Sequence, residues 1–394
     1  MNRSQFLWIK PAKNLVSAVA CAAAVSLLSP AAMAQSSDVI RGQYPQLADL
    51  FNAFDVTQAQ TFDAVVTINA HPAYATARAG LREHLEMLKT MTMREMMEAG
   101  TMDHSGMGMG MDMSGPYPDM EVESRINLLG VMRGQHSDEA AAGAYEASVA
   151  INQHAGEVLK RGRVFENQLF AIYVDDSISN KQAAVAAAIT EYLSDAQHSV
   201  ATFPKESQYL VTHGQATGFM TSFPRLSGFL WSQQWLQLAA LEAVILENLD
   251  SQFSGGVDIA LERFWNKIGS VGGMSMFPPP SELPMAPAIA PDLYSQSPEA
   301  AFILDNLNIL ETVIADILSY PNEPDREAKI DAAVALFTDK DLTNAEPMEY
   351  LLFALRGGIY NQGGPAVGEL TQSERNRSRS AMDHQHAMVM SQGQ

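Results

Sequence analysis

The chain has 394 residues, with 45 acidic side chains against 25 basic ones and a formal charge of −20 at neutral pH. That balance argues against nucleic acid, anionic lipid surfaces and any polybasic role, and it favours solubility and attraction of cations. The only cysteine is Cys21, close to the N-terminus, so the rest of the chain can form no disulfide, thiolate metal site or covalently attached c-type haem.

Residues 1–34 read as a signal peptide. Arg3, Lys10 and Lys13 form a positive start, an apolar run covers residues 15–28, and Ala32-Met33-Ala34 offers a small-x-small cleavage site. The run is too short to argue for a membrane span, and Ala18-Val19-Ala20 ahead of Cys21 matches a lipoprotein box poorly. The expected mature protein starts near Gln35, is exported to the periplasm or secreted, and has no stable membrane insertion. Removing the three basic residues takes its charge to near −23.

Helical spacing then dominates, with no sustained period-2 alternation and no Asn-Gly or Asp-Gly hairpin turn. The expected fold is all-α: a multi-helix bundle with an irregular Met/His-rich loop, a Pro-rich linker and a flexible C-terminal tail. Residues 35–268 form the main helical domain. Within it, residues 38–70 are mostly helical, broken at Pro45 and at His71-Pro72, and residues 73–99 lead into the Met-rich loop. A short helix over 121–133 follows. Residues 138–174 read as one long helix, or two joined near Gly162, and residues 181–201 as another.

Phe203-Pro204-Lys205-x-Ser207-x-Tyr209-Leu210 recurs as Phe223-Pro224-Arg225-x-Ser227-x-Phe229-Leu230. Two independent helix starts explain it, since Pro costs nothing in a first turn. The second copy opens the clearest helix, 226–249, whose apolar side runs through Leu226, Phe229, Leu230, Leu236, Ala240, Leu241, Val244 and Leu249. Seven prolines between 278 and 298 exclude regular helix, so residues 269–298 are expected to be a linker or an extended wrap over the surface. Residues 299–372 then carry three helices that need to pack on the main domain, because three helices alone offer a marginal core. Residues 373–394 form the polar tail.

The distinctive stretch is residues 84–120, which holds half of the 22 methionines. In Met107-Gly108-Met109-Gly110-Met111-Asp112-Met113 the glycines disfavour helix and strand alike, so these thioethers have no packing role. A thioether is a soft ligand that needs no deprotonation, which suits Cu(I). The expected Cu(I) ligands are Met102, Met107, Met109, Met111 and Met113, with His84 and Met91 at the root of the loop. The helical spacing of Met87 to Met97 is equally consistent with core packing. Asp103 and His104 suit Cu(II), which prefers nitrogen and oxygen. The same Met-Asp-His returns in the tail as Met382-Asp383-His384, followed by His386, Met388 and Met390. That recurrence, in regions without a packing role, is the strongest internal support for a metal function.

Met102-Asp103-His104-Ser105-Gly106-Met107 and Met382-Asp383-His384 resemble the Met/His-rich segments of periplasmic copper-resistance proteins. In the multicopper oxidases and outer-membrane components of those systems, Met-Asp-His-x-x-Met repeats bind or collect copper. The resemblance covers only these short stretches. It implies copper handling, with copper ions and another periplasmic copper protein as candidate partners. Without cysteine in the mature chain the type 1 copper pattern is missing, which speaks against an oxidase.

His154-x-x-Glu157 and Asp195-x-x-His198 each put a histidine and a carboxylate on one helix face. Bundle di-metal sites use Glu-x-x-His on two helices with Glu from two others; here one motif is reversed and the other carries Asp. They read as surface histidines and solvated carboxylates. His213 fits a helix C-terminus, and His71 and His136 have no partner in the sequence. Nucleophile-elbow, zincin, P-loop and dinucleotide motifs are absent. Two other readings stay open: a helical enzyme with a bundle metal site, and an interaction or scaffold protein whose Met segments scavenge oxidants.

Overall fold

Prolines start many of the helices. Pro45, Pro118, Pro224, Pro291 and Pro298 each sit in a first helical turn, where the missing N–H is not needed and φ is preset. The computed structural model describes residues 30–90, 115–205, 217–269, 279–342, 347–355 and 358–369, and no strand occurs among the described residues. The longer helices are α1 (Pro30–Gln43), α2 (Pro45–Ala70), α3 (Ala75–Thr90), α4 (Pro118–Met132), α5 (Gln153–Val174), α6 (Lys181–Tyr192), α7 (Pro224–Leu249), α8 (Gly256–Gly269), α9 (Pro298–Ser319) and α10 (Arg326–Thr338).

Four of them make the centre. Around the square the order is α2, α9, α5, α7, each packing on the next. Every residue of α7 from Leu226 to Ile245 is buried, as is every residue of α9 from Ile303 to Ser319. The sequence reading gave α7 one apolar side. In the structure it is covered all round from Leu226 to Ile245, with Trp231 and Trp235 fully buried, whereas Leu249 in its last turn is exposed. The remaining helices form a jacket: α1 on α5 and α2, α4 on α2 and α7, α6 on α5, α8 on α7, and α10 on α9 and α5. Where α5 crosses α9, Gly162 lets the helices close. A Cβ there would lie 2.4 Å from Leu307 Cδ2.

Three stretches differ from the sequence reading, each because of a partner far away in the chain. Residues 138–174 break at 148–152, not at Gly162, after two short helices, Asp138–Ala142 and Ala144–Ala147. Asp63 Oδ1 on α2 causes the break: it accepts the Ser148 hydroxyl (2.8 Å) and the N–H groups of Val149 (2.9 Å) and Ala150 (3.0 Å). Asn152 then caps α5 through Ala155 N (2.9 Å). Helix α6 stops at Tyr192 instead of reaching residue 201, because the Arg161 guanidinium takes the carbonyls of Glu191 and Tyr192.

The third is the Pro-rich stretch. From residue 279 onward it is neither linker nor surface wrap: it forms the short helices Ala286–Ile289 and Pro291–Gln296 and buries Leu283, Met285, Ile289 and Leu293. Its backbone donors are taken by side chains of the central helices and the C-terminal segment. Asp305 accepts Ala286 N (2.8 Å), Glu242 accepts Asp292 N (3.0 Å) and Leu293 N (3.2 Å), and Gln362 accepts Met285 N (2.9 Å). Paired in this way, a proline-rich chain can be buried.

Candidate functional site

Most residues expected to bind copper lie outside the described residues: Met91, Met102, Asp103, His104, Met107, Met109, Met111 and Met113 in the first segment, and Met382, Asp383, His384, His386, Met388 and Met390 in the tail. The signal peptide cut expected after Ala34 falls within α1, and residues 1–29, the first Phe-Pro copy beyond Lys205, and His213 also lie outside. His84 is described: it lies half-buried on α3 between the buried Leu81 and Leu85.

The far end of the Met-rich segment is firmly seated. Gly115 has φ 56° and sits so close to α7 that a Cβ would lie 2.9 Å from Pro224 Cδ. Tyr117 is fully buried, donates to Asn69 Oδ1 (3.0 Å), and packs on Phe223 and Tyr74 with ring centroids 5.2 Å away in each case. Pro118 opens α4 immediately afterwards. The segment therefore spans between the end of α3 and the corner where α4 meets α7.

The bundle interior carries a polar seam that the sequence reading missed. Arg163 on α5 is at its centre, with Nη1 2.5 Å from Glu166 Oε2, Nη2 2.8 Å from Glu311 Oε2, and Nε 3.9 Å from Asp55 Oδ1. Tyr145 donates to Glu311 Oε1 (2.7 Å), Gln234 to Glu311 Oε2 (2.8 Å) and Gln237 to Glu166 Oε2 (3.0 Å). All four central helices contribute. Burial pushes the Asp55 carboxyl well above the usual range, with Arg163 opposing and Glu166 and Glu311 adding to the rise. Burial raises Glu166 too. Burial thus works against the charge of Asp55 and Glu166, and the Arg163 guanidinium opposes that rise at both. Removing one partner would leave an uncompensated buried charge. The available signal was Gln233, Gln234 and Gln237 in the middle of an apolar helix, and Arg163 three residues before Glu166.

The two His/carboxylate motifs come together on the surface. His154, at the start of α5, and His198, in the turn after α6, have ring centroids 5.6 Å apart at an interplanar angle of 82°. They line an open cleft of about 700 Å³ with Glu157, Gln197 and Asp339. The sequence reading had them as separate. His71 and His136 also gain partners: His71 Nδ1 accepts Ala73 N (3.3 Å), and His136 Nε2 lies 2.7 Å from the Val131 carbonyl.

Among the described residues no group of three or more His, Cys, Asp or Glu is set to hold a metal ion, and no helix is long and apolar enough to cross a membrane. Compared with known families, curated proteins and solved structures, the chain matches none.

Proposed function

We propose that this is an exported copper-binding protein that buffers, sequesters or passes on copper through its Met/His segments. The observation that carries the reading is the recurrence of Met-Asp-His followed by spaced methionines at 102–113 and 382–390. Five thioethers within twelve residues exceed the three or four donors that Cu(I) needs, and Gly106, Gly108 and Gly110 let several of them reach one ion. His104, His384 and His386 with Asp103 and Asp383 serve Cu(II). The bundle supports this division of labour. Its interior carboxylates are committed to Arg163, Tyr145 and backbone N–H groups, and the segment is held at Gly115 and Tyr117.

The test replaces Met102, Met107, Met109, Met111 and Met113 with Leu and titrates Cu(I) against a competing chelator. Loss of most Cu(I) stoichiometry is expected, and unchanged stoichiometry and affinity would move the site elsewhere. Because thioethers carry no proton, Cu(I) binding in the unsubstituted chain should change little between about pH 5 and 7. Imidazole-based Cu(II) binding should weaken as pH falls from about 7 to 5 and the rings take up protons.

A further inference from the structure

His154 and His198 are each held by one ring nitrogen and bare at the other. His198 Nδ1 lies 2.9 Å from Asp195 Oδ2, and His154 Nε2 lies 3.2 Å from the Gln197 carbonyl. Both partners, a carboxylate oxygen and a backbone carbonyl, are acceptors. Each named nitrogen must therefore carry its proton. In a neutral ring so held, the lone pairs sit on His198 Nε2 and His154 Nδ1. A ring whose second nitrogen donates to a carboxylate or backbone carbonyl is the arrangement found behind metal-ligating histidines.

The scaffold holding these rings is rigid. Asp195 Oδ1 accepts Gln197 N (3.2 Å) and His198 N (3.3 Å), Ser199 donates to the Asp195 carbonyl (2.7 Å), and the Tyr192 hydroxyl accepts Val200 N (2.9 Å). On the other side Asn152 caps α5 two residues before His154 and also donates to Asp331 Oδ1 (2.6 Å). Two imidazoles on one ion, each with a metal–nitrogen bond of about 2.0–2.1 Å, place their ring centres at the kind of separation observed.

We infer that His154 and His198 form a binding site for one borderline divalent cation of the Zn(II) or Cu(II) type, with His154 Nδ1 and His198 Nε2 as protein ligands and water completing the shell. Imidazole suits these metals, whereas a carboxylate cage would suit Mg or Ca. Glu157, one turn along α5 from His154, lines the same cleft and adds negative charge. Asp339 is committed to Asp341 N (2.8 Å) and Leu342 N (3.0 Å) and serves only electrostatically. Two cations oppose the ion. Arg161 Nη1 lies 3.9 Å from Asp195 Oδ2, and the Lys340 ammonium is bound to the carbonyls of Ala196 and Thr338. With two nitrogens and this offset, the site is weaker than a three-ligand one. It is independent of the Met/His segments.

The experiment uses the full chain with His104, His384 and His386 replaced by Ala, titrated with Zn(II) against a colorimetric chelator. One equivalent is expected to bind. His154→Gln or His198→Gln should weaken it at least about tenfold, and Asp195→Asn, which removes the carboxylate behind His198 Nδ1 and the charge beside Arg161, about 10- to 100-fold, with helicity unchanged. Absence of zinc binding in the background protein overturns the site, as does unchanged affinity in the His154→Gln/His198→Gln double variant. Should a variant fail to fold, histidine-ring 15N shifts of the unsubstituted chain decide. Zn(II) must move His198 Nε2 and His154 Nδ1, and any other pair, or none, refutes the inference.

Discussion

Helix α5 carries two polar clusters that share residue types and differ in outcome. In its middle, Arg163 and Glu166 are buried, and both are taken up by ion pairs and hydrogen bonds within the seam. At its start, His154 is exposed and held at one nitrogen only. The difference teaches that burial, more than residue type, separates a structural polar group from a ligand-ready one. A buried charge must exhaust its donors and acceptors to be tolerated, whereas a surface ring can leave a lone pair facing water at little cost.

The largest effect should come from breaking the buried side of this comparison. Arg163→Ala removes the only cation of the seam and leaves Glu311, Glu166 and Asp55 without a counter-charge, so a loss of about 3–5 kcal/mol is expected. Urea unfolding followed by circular dichroism measures it. Replacing His154 instead should leave the midpoint nearly unchanged. If the two substitutions cost the same, burial is not what distinguishes the clusters.

A smaller effect sharpens the geometry that buries the seam. Gly162→Ala pushes a methyl into Leu307, and overpacking of this kind costs about 1–3 kcal/mol. Combining it with Leu307→Ala should recover part of that cost, giving a measurable coupling between the two sites. Additive losses would mean that α5 and α9 do not close on each other at this point.

How legible this was depended on distance along the chain. Helices α2, α7 and α9 were readable because apolar spacing and first-turn prolines are local signals. The break at 148–152 was not, because its cause, Asp63, lies 85 residues away from Ser148. The burial of the Pro-rich stretch was hidden for the same reason, since Asp305, Glu242 and Gln362 supply its hydrogen bonds from elsewhere. The seam was partly legible, in the glutamines of α7 and the Arg163/Glu166 pair, but apolar neighbours drew the eye to core packing. The pairing of His154 with His198 depended on where α6 ends, and Arg161 sets that. The Met/His segments are legible only as chemistry, from ligand type and spacing.

The smallest signal is a change of pH slope, and it tests whether buried acids outside the seam obey the same rule. Burial pushes Glu121 up to about 7, Glu242 to about 8 and Asp305 to about 7, in each case against hydrogen bonds that act to lower them. Between the ordinary carboxylate range and these values the folded protein holds protons that the unfolded chain has released. The stability these groups contribute is therefore full below about pH 4, declines as pH rises above it, and is lost once pH passes about 7 to 8. Asp195, held below its usual range, acts in the opposite sense and loses its contribution only at lower pH. The melting temperature should thus be higher near pH 5 than near pH 8. Glu121→Gln isolates one contribution cleanly. Its Oε1 accepts Arg225 N (2.6 Å) and Leu226 N (3.0 Å), and the amide oxygen of Gln can keep both, while Oε2 is only 3.4 Å from Arg225 Nη1. The variant should match the parent near pH 5 and show a flatter decline toward pH 8. An equal slope in both proteins would mean that the Glu121 carboxylate is as well accommodated as its acid, and that backbone N–H groups and Arg225 together offset its burial.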